Sequence, residues 1–75
     1  MRETLQQWGE ALAERRKAIG MSQKDLAVAA KTTQQHLSLI ERGAVSPRDD
    51  LRLRLAGVLG VSVEELFPYP AAVPA

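Results

Sequence analysis

Residues 22–43, SQKDLAVAAKTTQQHLSLIERG, predict a short helix, a tight turn and a second short helix. Ser22 and Thr33 each stand just before one of these helices, and each offers a side-chain oxygen that suits the N-cap position. Gly43 follows the second helix, where a residue with left-handed backbone geometry is favoured. Two short helices joined by only a few residues around Lys31 form a helix-turn-helix unit.

Working outward from this unit, the same start and stop signals predict three more helices. The fold class is therefore expected to be all-α, a compact domain of five helices over residues 1–67. The expected helices are residues 3–19, 23–30, 34–42, 47–59 and 63–67. Ser46 is expected to cap the fourth helix with Pro47 at its first position, and Ser62 with Glu65 forms a capping box for the fifth.

Apolar residues recur at helical spacing in the two longest segments. The stripe of the first helix is Leu5, Trp8, Leu12 and Ile19. The stripe of the fourth helix is Leu51, Leu55, Val58 and Leu59. No segment alternates apolar and polar residues in the manner of a strand. Residues 68–75 hold three of the four prolines and are expected to form an extended or disordered tail.

Composition excludes several classes of protein. The chain has 75 residues and no Cys, so it has no disulfide, no thiolate metal site and no Cys nucleophile. It lacks the ~18 consecutive apolar residues of a membrane span. A single His and no recognised catalytic motif make an enzyme unexpected, and no metal, cofactor or small-molecule ligand is predicted. We expect a cytoplasmic protein without a membrane partner.

The sequence resembles the Cro/C1-type (XRE-like) helix-turn-helix family of phage and bacterial repressors. The resemblance lies in SQKDLA at residues 22–27, LSLIERG at 37–43, Pro47 and LGVS at 59–62, and it spans about residues 10–67. It implies a lambda-repressor-like domain that binds double-stranded DNA in a sequence-specific way and regulates transcription. TTQQ at residues 32–35 is also similar to the start of the recognition helix in the repressor of phage 434.

Two positions depart from the family pattern. Lys31 stands where the turn usually has Gly, so it must either adopt a left-handed backbone, at a cost of ~1 kcal/mol, or let the turn shift. Thr32 stands where an apolar residue is usual. We therefore expect the recognition helix, residues 34–42, to enter the groove at a slightly different angle.

On a helical wheel at ~100° per residue, Leu37, Ile40 and Glu41 share one side of the recognition helix and are expected to face the body. The opposite side begins with amides, and Gln pairs in a bidentate way with adenine in the major groove. The side chains predicted to read bases are Gln34, Gln35, His36, Ser38 and Leu39.

Contacts with DNA phosphates are predicted for polar and basic side chains around this helix. Gln23 lies in the first turn of the second helix, where backbone N–H groups favour a phosphate. The predicted phosphate contacts are Gln23, Lys24, Thr33, Arg15, Lys17, Lys31 and Arg42. The family resemblance implies a largely buried ion pair between Arg16 and Glu41, which joins the first and third helices.

A homodimer on a palindromic operator is expected, because one module covers only ~600–1,000 Å² of DNA. The candidate dimer contacts are Leu53, Phe67 and Tyr69, although Leu53 fits the core equally well. A charge at Leu53 or Phe67 is then expected to weaken the dimer without unfolding the chain. The alternatives are an antitoxin or a restriction-modification controller that regulates its own operon, the DNA-binding part of a larger regulator, or a protein-interaction module.

The net charge of +1 is low for a DNA-binding domain, which usually carries a clear excess of basic residues. Several acidic residues are explained by helix first turns, where they stabilise the helix dipole. The basic residues instead surround the recognition helix. We therefore expect weak non-specific affinity, with specificity supplied by the glutamines and by a dimer.

Overall fold

The computed structural model describes residues 2–68 of the chain, without the side chain of Arg2. Five α-helices follow one another: α1 (Arg2–Ala18), α2 (Gln23–Ala29), α3 (Gln34–Glu41), α4 (Asp49–Leu59) and α5 (Val63–Leu66). The described residues contain no strand. The all-α architecture predicted from the sequence is confirmed, and each helix lies within two residues of its predicted bounds.

Side-chain caps explain where α2 and α5 begin. The Ser22 hydroxyl oxygen accepts a bond from the backbone N–H of Asp25, as expected for the N-cap of α2. Ser62 accepts from the backbone N–H of Glu65, whose carboxylate accepts from the N–H of Ser62. These bonds satisfy donors that have no partner inside the helix. The predicted capping box at α5 is therefore confirmed.

The predicted start of α4 is wrong. The N-cap is Arg48, which makes no side-chain cap bond, and the helix begins at Asp49 rather than at Pro47. Pro47 is buried and precedes the cap. Packing of the proline ring against the body thus outweighs its local preference for a first helical position. Asp49 and Asp50 do lie in the first turn, where they favour the helix dipole.

All five helices contribute to one hydrophobic core. Its fully enclosed side chains include Leu12 from α1, Leu26 from α2, Ile40 from α3 and Leu55 from α4. The expectation that Ile19 continues the stripe of α1 is wrong, because α1 ends at Ala18 and the Ile19 side chain is 43% exposed. The helical period no longer predicts which side chains are buried once the helix has ended.

Backbones of α1 and α3 approach closely at Gly9. A Cβ atom at this position would lie 2.4 Å from the carbonyl oxygen of Glu41 and 2.6 Å from that of Ile40. Contacts this short with backbone atoms exclude any side chain. Gly9 thereby lets the C-terminal end of α3 rest directly on the first half of α1.

Phe67 belongs to the core and is not a dimer contact as predicted. Its side chain is 1% exposed and packs edge to face on Trp8, with ring centroids 5.5 Å apart. The indole Nε1 of Trp8 donates to the carbonyl of Pro68 at 2.6 Å. An aromatic ring in this enclosed position has no surface to offer a second chain. Tyr69, the other predicted aromatic contact, lies outside the described residues.

Leu53 lies on the outer side of α4 with 64% of its side chain exposed. The alternative that it completes the core is therefore wrong. It borders a shallow groove together with Val63 of α5. No helix within residues 2–68 is long and apolar enough to cross a membrane.

Candidate nucleic-acid interface

A tight turn between α2 and α3 sets the direction of the third helix. The backbone N–H of Lys31 donates to Val28, and that of Thr32 donates to Ala27, which closes the C-terminal end of α2. Lys31 has φ +59° and is the one described non-glycine residue with a positive φ. Of the two outcomes expected for Lys31, the structure shows the left-handed backbone, so the turn is built without the glycine that this geometry favours.

The inner side of α3 packs against the body as predicted. Leu37 and Ile40 are fully buried, and the Glu41 side chain is only 7% exposed. Thr33 caps the helix, because its hydroxyl oxygen accepts from the backbone N–H of His36 at 3.0 Å. This leaves the Thr33 hydroxyl hydrogen available as a donor.

The outer side of α3 carries the residues predicted to read bases. Gln34 and Gln35 are exposed in its first turn, whereas His36, Ser38 and Leu39 are half-buried. The most exposed part of this surface is therefore the glutamine pair at the N-terminal end of the helix. A helix lying in a major groove contacts base edges mainly with these N-terminal residues.

A buried polar network fixes α3 to α1 and α2. Arg16 donates from Nε to Glu41 Oε2 at 2.7 Å and from Nη2 to Glu41 Oε1 at 3.0 Å. The same Oε1 accepts from Nε2 of Gln23 at 2.9 Å. Arg16 also donates from Nη1 to the Met21 carbonyl at 2.9 Å. The expected Arg16–Glu41 pair is thus present as a two-bond fork, a geometry that gives strong and directional binding.

The Glu41 carboxylate raises the pKa of Arg16, mainly through the side-chain hydrogen bond. The guanidinium therefore remains charged, and its two donors hold Glu41 in place. Gln23 donates from its amide nitrogen to Glu41. Its amide oxygen keeps its acceptor capacity.

The five basic residues among the predicted phosphate contacts fall into two groups. Lys17, Lys24, Lys31 and Arg42 are exposed, and within residues 2–68 none of them forms an ion pair. Arg15 instead donates from Nε to the carbonyl of Leu59 at 3.3 Å, which directs it to the end of α4. The Arg15 side chain is therefore bonded to the end of α4, whereas the neighbouring Arg16 is bonded to α3.

Sequence reasoning missed the contact between α4 and the turn. Arg54 donates from Nε to the carbonyl of Ala30 at 2.8 Å and from Nη1 to Asp50 Oδ2 at 3.1 Å. The hydrogen bond from Arg54 lowers the pKa of Asp50 below its usual value. The i, i+4 spacing of Asp50 and Arg54 could have indicated the ion pair. No local signal indicates the bond to Ala30, which spans 24 positions.

Comparison with known proteins agrees with this geometry. The sequence model of the Helix-turn-helix family matches residues 12–66. The structure is similar to that of the restriction-modification controller protein C.AhdI from Aeromonas hydrophila, with a TM-score of 0.81 and 33% identity over 84% of this chain and 96% of that one. The chain belongs to the Cro/C1-type helix-turn-helix family of transcriptional regulators that bind double-stranded DNA.

Two further solved structures show the same fold. The clp gene regulator ClgR from Corynebacterium glutamicum is 28% identical, with a TM-score of 0.81 over 84% of this chain and 67% of that one. Hydroxypropylphosphonic acid epoxidase from S. wedmorenis is 28% identical, with a TM-score of 0.76, but the match covers 34% of that chain. A search of curated protein sequences gives no significant match.

Proposed function

We propose that this chain binds a palindromic operator as a homodimer, with α3 of each copy in the major groove. The observation that carries the proposal is the exposed pair Gln34 and Gln35, which stands at the outer N-terminal end of a helix whose inner side is fixed by buried contacts. Glutamine amides provide both a donor and an acceptor, which matches the N7 and N6 edge of adenine. His36, Ser38 and Leu39 lie beside them and complete the reading surface.

Backbone contacts position this reading surface. The exposed ammonium groups of Lys17, Lys24 and Lys31, together with Arg42, form no ion pair with any residue between 2 and 68 and are suited to phosphate oxygens. The Thr33 hydroxyl and the Gln23 amide add uncharged contacts at the starts of α3 and α2. Arg15 makes a weaker candidate, because one of its donors is engaged by Leu59.

The direct test is selection of bound sequences from a random DNA pool, followed by titration of the selected duplex at several salt concentrations. We expect a preferred two-fold symmetric site with half-sites about one helical turn, ~34–36 Å, apart. Affinity is expected to fall steeply with the logarithm of salt concentration, because bound counterions are released from the phosphates. Recovery of no preferred sequence would contradict the proposal.

Replacing Gln35 with alanine is expected to cost about 1–3 kcal/mol of binding free energy on the selected site. The loss arises because a base edge is left without its partner, so the preference at one base pair should relax. Lys24→Ala is the matched control: it should weaken all duplexes alike and reduce the salt slope by about 0.9. Titration of matched and single-base-changed duplexes measures both effects. If Gln35→Ala instead lowers the affinity for every duplex by the same factor, Gln35 contacts the DNA phosphate backbone and not a base.

Leu53 is proposed as the centre of the dimer contact, since it is the large apolar side chain exposed on α4 and it borders a groove with Val63. Leu53→Asp is expected to raise the dimer dissociation constant by at least about tenfold, because a carboxylate would lose water in the contact. Analytical ultracentrifugation measures this change. Val28→Asp, which alters an aliphatic residue 71% exposed on α2, is the control that should leave association unchanged. An unaltered dimer with a folded Leu53→Asp chain contradicts the assignment.

A restriction-modification controller that regulates its own operon is the more specific candidate, because C.AhdI is matched over nearly its whole length. An antitoxin of the same fold and a protein-interaction module are the other candidates. A protein-interaction module would not bind DNA at any salt concentration. We further propose that the chain is not an enzyme and acts in the cytoplasm on the nucleoid. The match to the epoxidase is confined to about a third of that protein.

A further inference from the structure

The side chain of Arg54 reaches from α4 to the turn of the helix-turn-helix unit. Its Nε donates to the carbonyl of Ala30 at 2.8 Å, and its Nη1 is held by Asp50 at 3.1 Å. Ala30 is the C-cap of α2 and is fully buried. Arg54 therefore supplies a partner for a carbonyl that has none inside its own helix.

The bonded carbonyl immediately precedes the strained residue of the turn. Lys31 holds φ +59°, a conformation that costs a non-glycine residue on the order of 1 kcal/mol. Such a conformation persists only where surrounding contacts determine it. The positive guanidinium at the C-terminal end of α2 also complements the negative end of the helix dipole.

Arg54 also lies next to the start of the reading helix. A polar cleft between the beginnings of α3 and α4 is bordered by Arg54 together with Thr32 and His36. Arg54 thus contacts the residue before the turn and shares a cleft with residues on the other side of it. The side chain is 38% exposed, which leaves its far end in solvent while Nε points inward.

We propose that Arg54 is a positioning residue for base reading: its bond to the Ala30 carbonyl fixes the angle at which α3 leaves the turn. This inference rests on the proposed function and adds a residue of α4 to the specificity of α3. The bond to Ala30, rather than the charge of Arg54, is the component that matters. Arg54 then affects which sequence is bound more than how strongly DNA is bound in general.

Two substitutions of matched length separate the bond from the charge. Arg54→Gln removes the charge but places an amide N–H₂ at the same number of bonds from Cα as the arginine Nε. Arg54→Met has a methyl group at that position and donates nothing. The ratio of affinities for the selected duplex and for an unrelated duplex is measured for each, well below the melting temperature.

For Arg54→Met, the ratio is expected to fall about tenfold, comparable to the loss of one base contact. For Arg54→Gln, it is expected to stay within about twofold of the unaltered chain. The slope of log affinity against log salt should match between the two variants. Equal loss of the ratio in both variants, or loss in neither, would overturn the proposal.

Arg48→Met is the control for a general charge effect, because Arg48 is exposed at the N-cap of α4. It should change the affinity for both duplexes by the same factor. If Arg54→Met behaves in this way and lowers the salt slope by about 0.9, Arg54 contacts a phosphate and the proposal is wrong. If Arg54→Met does not fold, Arg54→Leu, which also donates nothing, takes its place, and only Arg54→Gln should then keep the full ratio.

Amide hydrogen exchange tests the same bond without DNA. The backbone N–H groups of Lys31 and Thr32 are bonded to Val28 and Ala27 across the turn. They are expected to exchange at least about tenfold faster in Arg54→Met than in Arg54→Gln, because local opening becomes easier. Unchanged exchange would overturn the positioning role. A chain that selects no DNA sequence but shows this difference would instead contradict the proposed function alone.

Discussion

Replacing Phe67 with alanine is expected to lower the free energy of unfolding by about 3–5 kcal/mol. The ring is 1% exposed and packs edge to face on Trp8, so its removal leaves a cavity between α1 and the end of α5. A domain of this size has only about 3–5 kcal/mol of stability from its core. The variant should therefore be largely unfolded at room temperature.

Urea unfolding followed by circular dichroism measures this loss. Leu53→Ala is the matched control: it removes a large apolar side chain that is 64% exposed and should change stability by no more than about 0.5 kcal/mol. Cooperative unfolding of Phe67→Ala at the same urea concentration as the unaltered chain would show that the ring is not part of the core. A charged residue at this position should unfold the chain rather than only separate a dimer.

Replacing Arg16 with methionine is expected to cost about 3–5 kcal/mol, the usual penalty for removing one partner of a buried ion pair. Among residues 2–68, Glu41 would keep only the amide of Gln23 as a side-chain partner, although its side chain is 7% exposed. The carbonyl of Met21 would lose a donor as well. The cost comes mainly from the orphaned charge, not from the lost packing of Arg16.

The double variant Arg16→Met, Glu41→Leu distinguishes these two causes. Replacing both charges with apolar residues of similar volume is often neutral or stabilising, so we expect the double variant to recover most of the loss. Both are compared by urea unfolding under the same conditions. If the double variant is as unstable as Arg16→Met alone, the network stabilises the fold by its geometry and the orphaned charge is not the cause.

Local signals predicted most of the helix boundaries because each depends on neighbours in the chain. Ser22, Thr33 and Ser62 cap helices in the structure as the sequence indicates, with hydrogen bonds to the backbone three residues further on. The left-handed Lys31 follows from the same reasoning. The exception is Pro47, whose burial in the body shifts the start of α4 to Asp49.

Exposure at the ends of helices was the least predictable property. Ile19 and Phe67 each stand next to the end of a helix, and their exposures are 43% and 1%, the reverse of what was predicted for both. A helical period places a side chain only while the helix continues. Beyond that point, the neighbours are remote in sequence, as Trp8 is for Phe67.

In the candidate site, too, some features follow from local sequence signals and others depend on tertiary contacts. The amphipathic order of α3, with Leu37 and Ile40 inside and Gln34 and Gln35 outside, is a property of spacing and is present in the structure as predicted. The buried pair of Arg16 and Glu41 was implied by the family resemblance. No local sequence signal predicts that Arg15 bonds to Leu59 or that Arg54 bonds to Ala30.

The sequence by itself determined that the chain is helical, where most of its helices begin and end, and which side of α3 faces outward. Those properties depend on caps, on backbone preference and on a period of about 3.6 residues, all of which act over a few positions. Only the tertiary structure decided that Phe67 is enclosed, that Leu53 is exposed and that α4 holds the turn through Arg54. Those properties depend on contacts between segments 24 or more positions apart, and only packing brings such segments together.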